Sequence, residues 1–111
     1  MPVNVVLLEG RLTRDPELKV LPGTEKILAS FGIAVNRKYK DREEVTFAEC
    51  VCWGKQAESL VEHKRKGDLI LVNGSLHMDQ WETKEGEKRT KLKVNVHVVS
   101  YLGGKDNKGE G

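Results

Sequence analysis

The stretch VTFAECVCWGKQAESLVEHKRKGDLILVNG, residues 45–74, contains the change of pattern that decides the fold. Val45–Trp53 alternates side chains with a period of two, as a β-strand with one buried face does. Gly54 interrupts this alternation, and Lys55–Lys66 then places apolar residues at helical spacing, with Gly67 as the expected C-cap. A second alternating segment begins at Asp68. The stretch therefore predicts a strand, a helix and a strand, in that order.

Further alternating segments lie on both sides of this stretch. We expect strands at Met1–Leu12, Ile27–Val35 and Lys91–Leu102, and the strand at Asp68–Trp81 should bend at Gly74. Three strands, one helix and two strands fit the five-stranded Greek-key barrel called the OB-fold. Other small mixed barrels fit the same order of elements, so periodicity alone predicts an all-β barrel with one helix.

The alternation also predicts the core and two charged hairpin tips. We expect these side chains to point inward: Ile27, Ala29, Phe31, Ile33, Val35, Ala48, Cys50, Cys52, Leu92, Val94, Val96 and Val98. The cysteines share one strand face at a spacing of two, which favours a buried pair of free thiols over a disulfide. The charged segments 36–44 and 82–90 read as hairpin extensions of the barrel.

Composition bounds the class of protein. The chain has 111 residues, 38% of them hydrophobic and 32% charged, which is typical of one folded domain. We find no apolar run long enough for a membrane span and no export signal, so the expected location is the cytoplasm. Phosphate-loop, nucleophile and metal-ligand motifs are also lacking, so we expect neither an enzyme nor a cofactor or metal site.

Four aromatic residues are hard to explain as core. Tyr39 lies among basic residues, Phe47 and Trp53 point opposite the buried face of their strand, and Trp81 stands at the base of a basic hairpin tip. Exposed rings interleaved with cations are what an unpaired nucleic acid strand requires, because bases stack on rings and phosphates pair with Lys and Arg. An outward ring can equally be covered by a neighbouring subunit.

Several blocks, taken in order, resemble the bacterial single-stranded DNA-binding protein family. They are residues 10–18 (GRLTRDPEL), 31–37 (FGIAVNR), 53–58 (WGKQAE), 66–74 (KGDLILVNG), and 81–82 (WE) ahead of 86–89 (GEKR). Together they span about residues 3–102. The resemblance implies an OB-fold domain over residues 1–102, followed by a short, flexible, polar end at residues 103–111.

The resemblance also implies a function and a set of site residues. The chain would bind single-stranded DNA without sequence specificity, in replication, recombination and repair, and be associated with the nucleoid. Its bases would stack on Tyr39, Phe47, Trp53 and Trp81. The candidate phosphate contacts are Arg11, Arg14, Arg37, Lys38, Lys55, Lys84, Lys88, Arg89 and Lys91. The family assembles as a homotetramer, and Val3–Leu8 would be the pairing edge, with a dimer as the alternative.

Two features depart from the family pattern. Residues 103–111 lack the acidic tip through which relatives recruit other proteins, so either the sequence is shortened at this end or such recruitment is in doubt. Glu49 lies on the face of Phe47 and Trp53, where a carboxylate would weaken a backbone contact unless Lys or Arg pairs with it. Two other functions stay open: a dimeric module of the replication-restart type that binds a helicase or primase, and an RNA-binding OB module.

Overall fold

The structure is a computed structural model that describes residues 2–102, so Met1 and the predicted polar end at 103–111 lie outside it. Its elements are β1 (Val6–Leu12), β2 (Glu17–Val20), β3 (Ile27–Tyr39), β4 (Arg42–Trp53), α1 (Gly54–His63), β5 (Leu69–Glu82) and β6 (Lys88–Tyr101). Within this part of the chain, α1 falls short of the length and apolarity that crossing a bilayer demands.

Five of the strands close into a barrel. Around the ring the order is β1, β5, β6, β4, β3 and back to β1, with all neighbours antiparallel except the pair β4–β6. The first strand closes the ring because its residues Val6–Arg11 pair with β5, while Arg11 and Leu12 pair with β3. With α1 between β4 and β5, this is the predicted OB-fold barrel.

A short additional strand was not predicted. Glu17–Val20 forms β2, which pairs antiparallel with the start of β3 outside the closed ring. All four of its side chains are exposed. A strand without a buried face has no alternation of apolar and polar residues, and the turn signals on both sides of it indicated only a connection.

Two glycines inside strands allow the barrel to close, and one of them, Gly74, stands where the sequence predicts a bend. A Cβ built on Gly10 would lie 2.6 Å from the carbonyl oxygen of Ala34, at the point where β1 changes partners. A Cβ on Gly74 would overlap the carbonyl oxygen of Asn95. Both contacts are with backbone that cannot move aside, so a side chain at either position would force neighbouring strands apart.

The inward face of β3 and β4 forms the core as the alternation predicts, but Ser30 and Val51 on the other face are only 8% exposed and so are buried as well. Ala29, Phe31, Ile33, Cys50 and Cys52 are all fully buried, and both cysteines are free thiols. Burial raises the pKa of Cys50 to about 12 and that of Cys52 to about 11, so both thiols are neutral at physiological pH.

Two of the predicted core residues in β6 are exposed. Leu92 lies in the β5–β6 hairpin beyond the closed ring, where no opposite wall covers it. Val98 follows a shift in the pairing register of β6. The neighbours Asn73 and Gly74 of β5 pair with Val98 and Val96, so β6 contains one residue, His97, that has no partner in β5. One extra residue reverses the faces of a strand, and Val99 packs on the core in place of Val98.

The helix fixes this irregular point of β6. The Gln56 side-chain amide donates a hydrogen bond to the His97 carbonyl (3.1 Å) and accepts one from the Val99 amide (2.7 Å). The helix ends earlier than predicted, at His63 with Lys64 as its C-cap. Gly67 is therefore not the cap; it lies in the following turn, at a φ of 96°, and donates its N–H to the Leu12 carbonyl.

Candidate nucleic-acid interface

Phe47 and Trp53 lie on the outer face of β4, as the alternation predicts. They point away from the fully buried Cys50 and Cys52, and their exposed fractions are 72% and 40%. The two residues are six positions apart along the strand, which corresponds to about 20 Å. Val51 and Glu49 occupy the outward positions between them. The outer face of β4 is therefore a row with a ring at each end.

Strand pairing places Trp81 on this same face. Val51 of β4 is opposite Asn95 of β6, and Asn95 is in turn opposite Ser75 of β5. Every second pair along the β5–β6 hairpin lies on the same face as Ser75 and Asn95. These pairs are His77–Lys93, Asp79–Lys91 and Trp81–Arg89. Trp81 is 49% exposed. Three of the four predicted rings thus share one face of the sheet.

A hydrogen bond between β4 and β6 fixes the orientation of Trp53 on this face. Its indole Nε1–H donates a hydrogen bond to Oδ1 of Asn95, at 3.0 Å. The ring borders a depression of about 490 Å³ on the side of Lys26 and Lys55, and one of about 270 Å³ on the side of His77 and Lys93. Space therefore adjoins the indole on both of these sides. Glu25 and Glu58 also line the larger depression, so its two lysines are matched by two carboxylates.

Tyr39 does not lie on the face of the other three rings. Ala34 of β3 pairs with Phe47, so the even-numbered residues of β3 point outward. Tyr39 is odd-numbered and therefore continues the row of residues that faces the inside of the barrel. It is exposed only because the β3–β4 hairpin extends past the core. The Arg37 guanidinium lies over its ring, 5.7 Å from the centroid, as a cation–π pair. Tyr39 and Arg37 thus form a separate contact surface on the other side of this hairpin.

An ion pair crosses the outer face between the rings. Arg14 donates to both oxygens of Glu49, from Nη2 to Oε2 at 2.7 Å and from Nη1 to Oε1 at 3.2 Å. Gly32 lies beneath this bridge, and a Cβ there would be 2.9 Å from Nη1 of Arg14. The hydrogen bond that Arg14 donates to Glu49 raises the pKa of the guanidinium above its usual value. Glu49 thus has the basic partner that its position requires.

The remaining predicted cations are distributed over three places. Lys38, Lys91 and Arg89 share the face of Phe47 by strand register, and Lys55 follows Trp53 at the start of α1. The tip of the β5–β6 hairpin holds Lys84 and Lys88. Arg11 is opposite Ala34, which is itself opposite Phe47, and its Nη1 donates to the Gly67 carbonyl at 2.9 Å.

The site residues predicted from the sequence did not include His77, Lys93 or Asn95, which also lie on this face by register. Asn95 orients Trp53, and Lys93 pairs with Asp79 at 2.9 Å. Asp79 also lies 3.2 Å from Nε2 of His77. The hydrogen bond from Lys93 lowers the pKa of the Asp79 carboxyl. Both carboxylates near the centre of this face, Glu49 and Asp79, are therefore neutralised by a basic neighbour.

This arrangement suits binding better than catalysis. Flat rings stack on unpaired bases, and the surrounding Lys and Arg side chains attract phosphates. Among residues 2–102, no three His, Cys, Asp or Glu side chains are grouped so that they could hold a metal ion. The two thiols are buried and neutral, so they are poor nucleophiles.

A family profile and the individual relatives of this chain point to the same protein family. The sequence profile of the Single-strand binding protein family matches residues 3–102. Single-stranded DNA-binding protein 3 of Clostridium acetobutylicum is 41% identical over 102 residues, which cover 90% of this chain and 71% of the relative. The Single-stranded DNA-binding protein of Clostridium tetani is 42% identical, over 90% and 70% of the two chains. Single-stranded DNA-binding protein A of Bacillus subtilis is 36% identical, over 98% and 64%. On this match, the chain belongs to the single-strand binding protein family.

Proposed function

We propose that this protein binds single-stranded DNA by stacking bases on Phe47, Trp53 and Trp81 and by pairing phosphates with the neighbouring cations. The observation that supports this most is the strand register, which gives three partly exposed rings the same outward side of the sheet, with β4 and β6 joined where Val51 pairs with Asn95. Stacking on a ring is tolerant of sequence, so the protein would protect unpaired strands wherever replication, recombination or repair exposes them. This role requires binding alone and no catalytic step.

The relatives are named for the same activity. Three of them, from two Clostridium species and from Bacillus subtilis, are called single-stranded DNA-binding proteins and match most of this chain. A duplex keeps its bases inside the stack, so an open row of rings selects for an unpaired strand. A cytoplasmic location associated with the nucleoid would follow from this role.

We also propose that the protein works as a homo-oligomer. Among residues 2–102, Val6–Gly10 of β1 pair with β5 alone, so within this part of the chain their other backbone edge is open. Val3, Val5 and Leu7 are exposed along this edge. An open strand edge with apolar side chains is usually covered, and a second copy would supply a matching edge. A tetramer would place four ring-bearing faces within reach of one strand. Recruitment of other proteins through an acidic tip is not part of the proposal.

Fluorescence titration tests the proposed function. Adding poly-dT should quench the emission of Trp53 and Trp81, because a base stacked on an indole changes its surroundings. The apparent association constant should fall as salt rises, with a logarithmic slope of about −0.7 for each phosphate contacted. Poly-rU and a duplex of matched length serve as controls for the sugar and for strandedness. Equal binding of duplex and single strand, or no quenching at saturation, would contradict the proposal.

A further inference from the structure

We propose that Glu49 gives this interface a preference for bases with an exocyclic amino group over thymine at the position beside Phe47. The inference rests on the proposed function and adds a modest local preference to binding that stacking otherwise makes tolerant of sequence. It concerns cytosine, adenine and guanine, which each present an N–H₂ group that can donate a hydrogen bond to a carboxylate.

The position of Glu49 supports this role. It is the outward residue next to Phe47 on β4, about 6.6 Å along the strand. Both side chains border a depression of about 390 Å³, which Lys91 and Gly32 also line. A base that stacks on Phe47 would therefore extend its edge toward the Glu49 carboxylate, while Lys91 lies close enough for the phosphate.

The Glu49 carboxylate is also held in place before any ligand arrives. Two hydrogen bonds from Arg14 fix both of its oxygens, and Gly32 leaves the space that this guanidinium occupies. An ionised carboxylate has about four lone-pair sites, so two of them stay available after Arg14 has bound. The positive charge of Arg14 also offsets the repulsion that an isolated carboxylate would exert on phosphates. Glu49 can thus accept hydrogen bonds without expelling the strand.

The edges of the bases decide which of them fits. Cytosine donates from N4, adenine from N6, and guanine from N1 and N2. Thymine presents its single N3–H between two carbonyl oxygens, and both of these would face the carboxylate. A hydrogen bond from a neutral donor to a charged acceptor is stronger than one between neutral groups. Cytosine and thymine offer rings of similar size for stacking, so their comparison isolates the effect of the edge.

The test compares oligo-dC with oligo-dT of equal length, at slightly alkaline pH, for the wild type and the E49Q variant. The measured quantity is the ratio of the dT to the dC dissociation constant. A glutamine amide is uncharged and can also donate to thymine O4, so Glu49→Gln should lower this ratio about fivefold. Glu44→Gln is the matched control. Glu44 lies on the same strand but on the opposite face, 3.7 Å from Arg42, and the ratio for this variant should equal that of the wild type.

A second measurement changes the DNA. Replacing cytosine in oligo-dC by pyrimidin-2-one removes the 4-amino group, so the wild type should bind the analogue more weakly than oligo-dC. The difference should be smaller for E49Q, because a neutral amide oxygen accepts a weaker hydrogen bond than a carboxylate does. An unchanged dT-to-dC ratio in E49Q, or equal wild-type affinity for the two cytosine analogues, would overturn the inference. If the wild type binds none of the oligonucleotides, the proposed function itself fails.

Discussion

Replacing Phe47 by alanine should separate binding from stability. The ring is 72% exposed, so its removal takes little apolar area out of the core and should change the free energy of unfolding by less than about 0.5 kcal/mol. Loss of one stacking platform should weaken binding of oligo-dT by about 1–3 kcal/mol. That corresponds to roughly a 5- to 150-fold rise in Kd.

Phe31 provides the opposite case in the neighbouring strand. It is fully buried opposite Cys50, so Phe31→Ala leaves a cavity and should cost about 3–5 kcal/mol of unfolding free energy. Urea denaturation measures the stability of both variants, and fluorescence anisotropy of labelled oligo-dT measures binding. Phe47→Leu is a further control, because it keeps an apolar side chain of similar size without a flat ring.

The pair of variants makes the reasoning refutable. An F47A protein that binds oligo-dT as tightly as the wild type, at an unchanged denaturation midpoint, would show that this ring is not a stacking platform. An F47A protein with a strongly lowered midpoint would show that the ring contributes to packing. Either result would remove Phe47 from the interface.

Three other results are expected. Cys50 and Cys52 should resist a thiol reagent in the folded protein and react once urea unfolds it. Burial raises the pKa of both thiols above the usual 9.0, to about 12 for Cys50 and about 11 for Cys52. The stability that the two neutral thiols contribute should therefore be complete below pH 9.0 and be lost as the pH rises through those values. Gly74→Ala should lower the free energy of unfolding by about 1–3 kcal/mol in urea denaturation, since its Cβ would meet the Asn95 carbonyl; Gly86→Ala, which meets no neighbour but has a φ of 85°, shows the cost of a left-handed backbone alone. Tyr39→Ala should leave the Kd for a short oligo-dT unchanged and raise it only for strands long enough to pass around the β3–β4 hairpin; weakened binding of the short strand would contradict the face assigned to Tyr39.

Much of the fold follows from local alternation. The outward positions of Phe47 and Trp53 could be predicted because Cys50 and Cys52 mark the buried face of the same strand, and a period of two leaves no other choice. The helix could be predicted because Gly54 separates two different periods. These features depend on residues that are neighbours in sequence.

Other features depend on contacts between distant segments. The extra residue at His97 reverses the faces of β6, and its position is set by the approach of Asn95 to Gly74 and by the two hydrogen bonds of Gln56. Nothing in the local pattern around Val98 records these contacts. The sequence therefore predicts a buried Val98 that the barrel exposes.

The site shows the same division. That Glu49 needs a basic partner could be argued from its position among the rings, but the partner, Arg14, lies 35 residues away and reaches Glu49 only because Gly32 leaves room for it. Tyr39 resembles the other rings in sequence because it is also surrounded by cations. Only the pairing of β3 with β4 shows that it belongs to the opposite face.

Photocrosslinking tests the shared face most directly. A set of oligonucleotides is prepared, each with 5-bromouracil at a different position, and each is irradiated in complex with the protein. The crosslinked residues are then identified by mass spectrometry. Crosslinks should concentrate on Phe47, Trp53 and Trp81. Tyr101 should stay unmodified although it is 40% exposed, because its hydroxyl is held 2.7 Å from Ser59 Oγ on α1. Crosslinks confined to Tyr101, or spread over faces that the register separates, would contradict a single face of stacking rings.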